Sequence, residues 1–476
     1  MSSQPPLLPR SSPAAAGVSS RAIASLLDRL EEQGVECHSI MVVRRGHVVA
    51  EGWWTPYSAG RPHLLYSLTK SFTSIAVGLA ISDGLLSLQD KMVDVLPDHV
   101  PDDVGEQARR LSVEHLLSMT AGHGVDSLEQ AWQLEPGDLT RGFLRVPFTY
   151  PEGVRHVYDN ATTYVLARIL ERVSGRSLPD LLDERLFLPM GIEDAQWDRV
   201  ASGAAFGFHG LHPRTEAVAA FGQLLLREGA WKDQQLLPAY WVRLATSRHV
   251  ETLHAPDGPL DADSSAGYGY QFWMSREGYR GEGHCEQLCM VYPEHDLVVA
   301  LTAGDGPHGA AVGAVHDYLL PALGQGDGGG DDAALADRLR HLAFAPVAGS
   351  RAPQRSAAAR IDASAPDSAL PEGSAVALEP VDAGWLLRLG RGLDVAVGHG
   401  AWRESAPLGR PAVAAGAWQG ERFVAEVFVI TTPHRVRVVL DADSGTATAT
   451  WSTVPLTTPD LALHLTAPLT TRPDVA

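Results

Sequence analysis

The stretch LLYSLTKSF, residues 64–72, places a lysine three residues after a serine, at the mouth of an apolar helical pattern. Lysine is rare in this chain. Only Lys70, Lys91 and Lys232 occur, and arginine supplies the rest of the positive charge. A serine hydroxyl is a poor nucleophile near neutral pH and needs an adjacent base. Lysine serves as that base once burial or neighbouring charge lowers its pKa. Residues three apart share a helix face, so Ser67 and Lys70 can meet. A helix start puts the serine oxygen near the positive end of the helix dipole. The apolar neighbours Leu64, Leu65, Phe72 and Ile75 favour a dry site. Serine is common, however, and the spacing alone also arises by chance.

Two further stretches bear on the same chemistry. RHVYDNATTYVLARILERVSG, residues 155–175, carries Tyr158 and Asn160 just ahead of a helical pattern. A tyrosine hydroxyl can relay a proton between serine and leaving group, and an asparagine amide can hydrogen-bond both lysine and substrate. A helix N-cap at Asp159 or Asn160, with Tyr158 as packing, fits the same residues. YRGEGHCEQLCMVYPEHDLVVALTAG, residues 279–304, reads as a strand interrupted by glycines, a Pro-Glu turn and a second strand. Glycine in a strand admits another chain at close range. The His284 N–H, just past Gly283, can then join the Ser67 N–H as an oxyanion hole.

In their order, YSLTKSF, YDN and this glycine-broken strand resemble the serine β-lactamase and penicillin-binding-protein superfamily. The resemblance is strongest to its branch of class C β-lactamase-related esterases and 6-aminohexanoate-dimer hydrolases, and covers roughly residues 15–322. It implies Ser67 as the acylated nucleophile, Lys70 as its base, Tyr158 as the proton relay and Asn160 as the group orienting Lys70 and substrate. The third motif departs from the family. Penicillin-recognising members carry K-T-G, where this chain has Gly281-Glu282-Gly283 beside Arg280. The missing cation removes the group that holds a β-lactam carboxylate, unless Arg280 replaces it.

Around these motifs the chain divides into four. Residues 1–17, rich in Ser, Pro and Ala, read as a disordered N-terminus. Residues 18–324 place strands at both ends of a helical middle. The expected fold is therefore α+β: one antiparallel sheet built from the two ends, flanked by helices, with an inserted helical lobe. Residues 325–372, opened by QGDGGGDD, read as a linker with a short helix. Residues 373–476 show short alternating runs and turn signals, an all-β module of small-barrel type that folds on its own.

The 476 residues carry a net charge of −19, which argues against nucleic acid or an anionic membrane as partner. No stretch is apolar enough to span a bilayer. Cys37, Cys285 and Cys289 give no disulfide framework. Cys285 and Cys289 read as one strand, too far apart to bridge. The N-terminus lacks a signal-peptide pattern, so a cytoplasmic location is expected. GDGPHG, residues 304–309, reads as a strand–helix turn rather than a dinucleotide site, and the histidines lack metal-ligand spacing. The expectation is a serine hydrolase or acyl transferase without cofactor, acting on a small ester or amide. The alternative is a catalytically silent ligand-binding protein of the same fold, suggested by the carboxylates Glu282 and Glu286 near the oxyanion position.

Overall fold

The computed structural model describes residues 5–200, 203–252, 261–325, 329–352, 355–362 and 365–466. Residues 1–4 of the N-terminal segment, 326–328 and 353–354 and 363–364 of the linker, and 467–476 of the β module lie outside them.

Six strands form the first sheet: β1 (Cys37–Arg44), β2 (His47–Trp53), β3 (Trp273–Met274), β4 (Tyr279–Gly283), β5 (Gln287–Tyr292) and β6 (Leu297–Ala303). Their spatial order is β2-β1-β6-β5-β4-β3, antiparallel throughout. The two ends of the hydrolase-like region therefore build one sheet, with the helical middle inserted between β2 and β3. The central strands are apolar on both faces because both are covered. Val298 and Ala300 of β6 pack among the helices of the lobe, while Val299 and Leu301 join the opposite core. That second core includes helix α1 (Ser20–Glu32). The helices that matter for the site are α2 (Thr69–Ser82), α3 (Asn160–Ser174) and α4 (Thr215–Leu226). Every residue of α2 from Thr69 to Ala80 is buried, which explains the apolar run that follows Lys70.

Helix α5 (Asp332–Arg340) ends this region. Nine strands follow: β7 (Ala357–Ile361), β8 (Ala375–Val381), β9 (Gly384–Leu389), β10 (Leu393–Gly398), β11 (Arg403–Ser405), β12 (Ala412–Gln419), β13 (Arg422–Phe428), β14 (Arg435–Asp441) and β15 (Thr446–Trp451). They run in the order β10-β9-β8-β7-β15-β14-β13-β12-β11, and pairing of β10 with β12 closes eight of them into a barrel. Closure removes the free edges that an open sheet would expose. Val376, Leu378, Leu387 and Val438 are among the side chains of its core.

Three expectations are corrected. The N-terminal segment is packed from residue 5 to residue 17: Leu7 and Leu8 are buried, and Glu216 accepts the Leu7 N–H at 3.0 Å and pairs with Arg10. Its composition hides these partners because they lie some two hundred residues away. The linker is not free-standing either. Leu335 and Leu339 of α5 are buried against the sheet, and Ala357–Ile361 is already a barrel strand. Cys285 and Cys289 do not share a strand. Cys285 and Glu286 have φ of +63° and +56° and form the turn of the β4–β5 hairpin.

The barrel is joined to the hydrolase-like region through buried contacts. Tyr57 and Phe344 pack with Val413, Phe428 and Ile430 of the barrel. The buried Asp198 carboxylate accepts from Arg410 of the barrel at 2.6 Å and from His212 at 2.8 Å. Glu36 pairs with Arg435. No described helix is long and apolar enough to cross a membrane.

Candidate active site

Ser67 lies in a 3-10 turn, Tyr66–Leu68, that runs directly into α2. Tyr66 adopts φ +47°, an uncommon conformation for a bulky residue, and bends the chain just before the serine. Lys70 stands in the first turn of α2, 1% exposed. Its Nζ is 2.8 Å from Ser67 Oγ, 2.7 Å from Asn160 Oδ1 and 3.1 Å from the Phe208 carbonyl oxygen. The Tyr158 and Phe208 rings lie 4.8 and 5.6 Å from Nζ, centroid to nitrogen. Burial among these groups pushes the Lys70 ammonium down to about 7, against the opposing pull of Asp126 and Asp159.

The three partners of Lys70 are not equivalent. The Asn160 carbonyl and the Phe208 carbonyl can only accept hydrogen bonds. A neutral lysine therefore spends both N–H groups on them, and its lone pair is left facing the Ser67 hydroxyl. In its neutral form Lys70 is thus oriented as a base toward Ser67. The Tyr158 oxygen also hydrogen-bonds Ser67, and burial raises this phenol well above its ordinary value. Tyr158 stays protonated across neutral pH, which leaves Lys70 as the group of the pair able to accept a proton there. Trp273 stacks on the Tyr158 ring at 5.9 Å between centroids and 14° between planes.

The N-terminus of α3 supplies the second motif. Asp159 caps it by accepting the Ala161 N–H, and also accepts from Ser127 and His123. Capping and catalysis-compatible placement coexist here: Asp159 caps, while Tyr158 and Asn160 face Lys70 and Ser67. His123 is buried against Phe148 and Asp159 rather than on the pocket wall. Asp126 accepts both the backbone and side-chain N–H of Asn160. Burial and the Asp159 charge raise Asp126 to about 6.

Strand β4 closes the other side. A Cβ on Gly283 would stand 2.0 Å from the Leu65 carbonyl oxygen and 3.1 Å from the Leu68 nitrogen. Only glycine lets β4 lie this close to the turn that holds Ser67, and it brings Gly283 and His284 to the pocket. Gly281 also faces α2: a Cβ there would meet Leu68 and Ser71. A lysine at 281 would not enter the cleft, so Glu282 supplies the side chain of this motif that lines it. Arg280 does not take the missing lysine's place. It is 1% exposed and bonds Glu282 at 2.6 Å, the Met274 carbonyl and Ser275 Oγ. Glu286 turns away from an oxyanion role, accepting the N–H groups of Gly309 and Ala311. The two carboxylates that suggested a silent binding protein are thus both engaged.

Two lobes open at Ser67. The first, about 370 Å³, is lined by Tyr158, Trp273, Glu282 and His284, with Asp305 and His308 from the 304–309 turn. The second, about 310 Å³, is lined by Leu128, Trp132, Phe206 and Phe208. Ser67, Asn160 and Leu456 border both. Neither lobe has a lysine or arginine among its described lining residues. Their size suits a small molecule, and no described cluster of His, Cys, Asp or Glu could hold a metal ion.

Residues 23–318, more than half of the sequence, match the protein family described as Beta-lactamase. The chain belongs to that family. A 6-aminohexanoate-dimer hydrolase of Paenarthrobacter ureafaciens is 24% identical over 297 residues, 58% of this chain and 74% of its own length. A lovastatin esterase of Penicillium rubens is 29% identical over 28% of this chain and 39% of its own length. Among solved structures, a putative 6-aminohexanoate-dimer hydrolase from Bacillus anthracis covers 61% of this chain and 79% of its own, with TM-score 0.51 and 20% identity. An octameric penicillin-binding protein homologue from Pyrococcus abyssi covers 88% of this chain and 97% of its own, with TM-score 0.50 and 15% identity. Within the family fold, Ser67, Lys70, Tyr158, Asn160, Glu282, Gly283 and His284 come together, while Arg280 stays behind Glu282. Sequence reading missed Asp126, the Phe208 carbonyl, Trp273 and the barrel residues Thr453 and Leu456, which lack any motif of their own.

Proposed function

We propose that the protein is a serine hydrolase that forms an acyl-enzyme on Ser67 from small esters or amides. The observation that carries this reading is the arrangement of Lys70, whose two acceptor partners leave its lone pair for Ser67. Neutral Lys70 takes the Ser67 proton as Oγ attacks the carbonyl carbon. The Ser67 and His284 N–H groups stabilise the oxyanion. Tyr158 passes a proton to the leaving alcohol or amine, and water or another alcohol then takes the acyl group. The family's esterase and amide-hydrolase relatives support this substrate range. Three free cysteines suit a reducing, cytoplasmic setting.

The experiment is labelling with a fluorophosphonate probe followed by intact-mass measurement. Wild type should gain one adduct, and Ser67→Ala none, with turnover of aryl esters abolished and the melting temperature kept. Lys70→Ala should lose nearly as much as Ser67→Ala, because residues acting as a unit are not additive. Full activity in Ser67→Ala would overturn the reading.

A further inference from the structure

The segment between β15 and the short terminal helix Leu461–Leu465 reaches from the barrel to the candidate nucleophile. Leu456, 61% exposed, is the one large apolar residue that borders both lobes at Ser67. It is held there from two sides. Thr453 Oγ1 donates to the Gly304 carbonyl at the end of β6. His434, fully buried in the β13–β14 connection, has Nδ1 2.9 Å from the Thr453 carbonyl oxygen and Nε2 against the Tyr66 hydroxyl. A carbonyl only accepts, so Nδ1 carries the proton and Nε2 accepts from Tyr66. The Tyr66 oxygen in turn accepts the Leu456 N–H. The chain Thr453–His434–Tyr66–Leu456 thus ties the barrel segment to the residue immediately before Ser67.

The two lobes differ in chemistry. Tyr158, the relay to the leaving group, borders only the first lobe, so that lobe serves the leaving or accepting group. The second lobe, walled mainly by Leu128, Trp132, Phe206 and Phe208 and bordered also by Asp126, Glu129 and His209, is left for the acyl chain. We infer that Leu456 of the barrel is a specificity-determining residue for an apolar acyl chain, and that Tyr66 and His434 position it. This inference rests on the acyl-enzyme reading above. Leu456 is largely exposed and would lose that exposure to an acyl chain filling the lobe, so its side chain contributes more to long chains than to acetate.

The test compares kcat/KM for p-nitrophenyl octanoate and acetate in wild type, Leu456→Ala, Leu456→Asp and Tyr66→Phe, with fluorophosphonate labelling of Ser67 in each. The octanoate-to-acetate ratio should fall by on the order of tenfold in Leu456→Ala and further in Leu456→Asp. Tyr66→Phe, which keeps the ring but removes the anchoring hydroxyl, should lower the same ratio. An unchanged ratio in Leu456→Ala and Leu456→Asp, with Ser67 still labelled, overturns the inference alone. An unchanged ratio in Tyr66→Phe overturns the anchoring role. Failure of wild type to label at all overturns the acyl-enzyme reading instead.

Discussion

Asp126 and Lys70 oppose each other across Asn160. Burial drives Lys70 toward the neutral amine, and the Asp126 carboxylate pulls it back toward the ammonium. In the acyl-enzyme reading the neutral amine is the reactive form, so kcat/KM for an aryl ester should rise with pH through about 7 and then level off. Asp126→Asn removes a negative charge that favours the ammonium, so the midpoint of that rise should move to lower pH. A midpoint that stays put or moves upward in the variant would show that another group governs the profile. Tyr158→Phe keeps the ring on Trp273 and removes only the hydroxyl. It should cost roughly a hundredfold in rate and leave the melting temperature nearly unchanged; a normal rate with lowered stability would mark Tyr158 as packing. Ser67, Lys70, Tyr158 and Asn160 were legible in the sequence because each is a reactive side chain at a fixed short spacing. The Phe208 partner is a backbone carbonyl, which every residue carries. Asp126 and Trp273 become partners only once distant segments are packed together.

At the scale of the element, β4 decides how close the sheet comes to the nucleophile. Gly283→Ala would press a methyl group into the Leu65 backbone carbonyl, which cannot swing aside as a flexible side chain could. The strand must then withdraw, at a cost of about 1–3 kcal/mol. The variant should fold with a lowered melting temperature and lose most of its esterase rate, as the His284 N–H leaves the oxyanion. A fully active Gly283→Ala would show that this N–H is not used. The same strand bears on β-lactams. With Arg280 committed to Glu282, the described lining residues include no lysine or arginine to receive a substrate carboxylate, so an aryl ester should exceed a chromogenic cephalosporin in kcat/KM by at least about tenfold, which ~1.4 kcal/mol of missing ion pairing supplies. Cephalosporin turnover equal to ester turnover would contradict this. The β1–β2 hairpin was readable because its turn is Arg45-Gly46, with Gly46 at φ +77°. The β4–β5 turn was not, because Cys285 and Glu286 adopt positive φ without a glycine or asparagine to announce it.

At the scale of the molecule, the sheet with its inserted lobe and the terminal β module followed from the order of apolar periodicities. The closeness of the two units did not, since the contacts that join them lie between residues with no local pattern. A chain ending near residue 345 would lose Arg410 opposite the buried Asp198 and uncover Tyr57 and Phe344. Removing one partner of a buried ion pair alone costs ~3 kcal/mol or more. Such a truncation should aggregate or elute as soluble oligomers on size exclusion; a stable monomer with normal ester turnover would restore the barrel's independence. The pairing of β1 with β6 sets a further condition on how the protein is made. Cys37 lies opposite Ala303, a separation of 303 − 37 = 266 residues. At ~5–20 residues per second of translation, the β1–β2 hairpin waits roughly 13–50 s for its neighbour to leave the ribosome. During that interval the free edge of the largely apolar strand β1 is open to other nascent chains. The cell must shield it, so the yield of active protein should depend on holding chaperones and on slow synthesis at low temperature more than on the final stability of the fold.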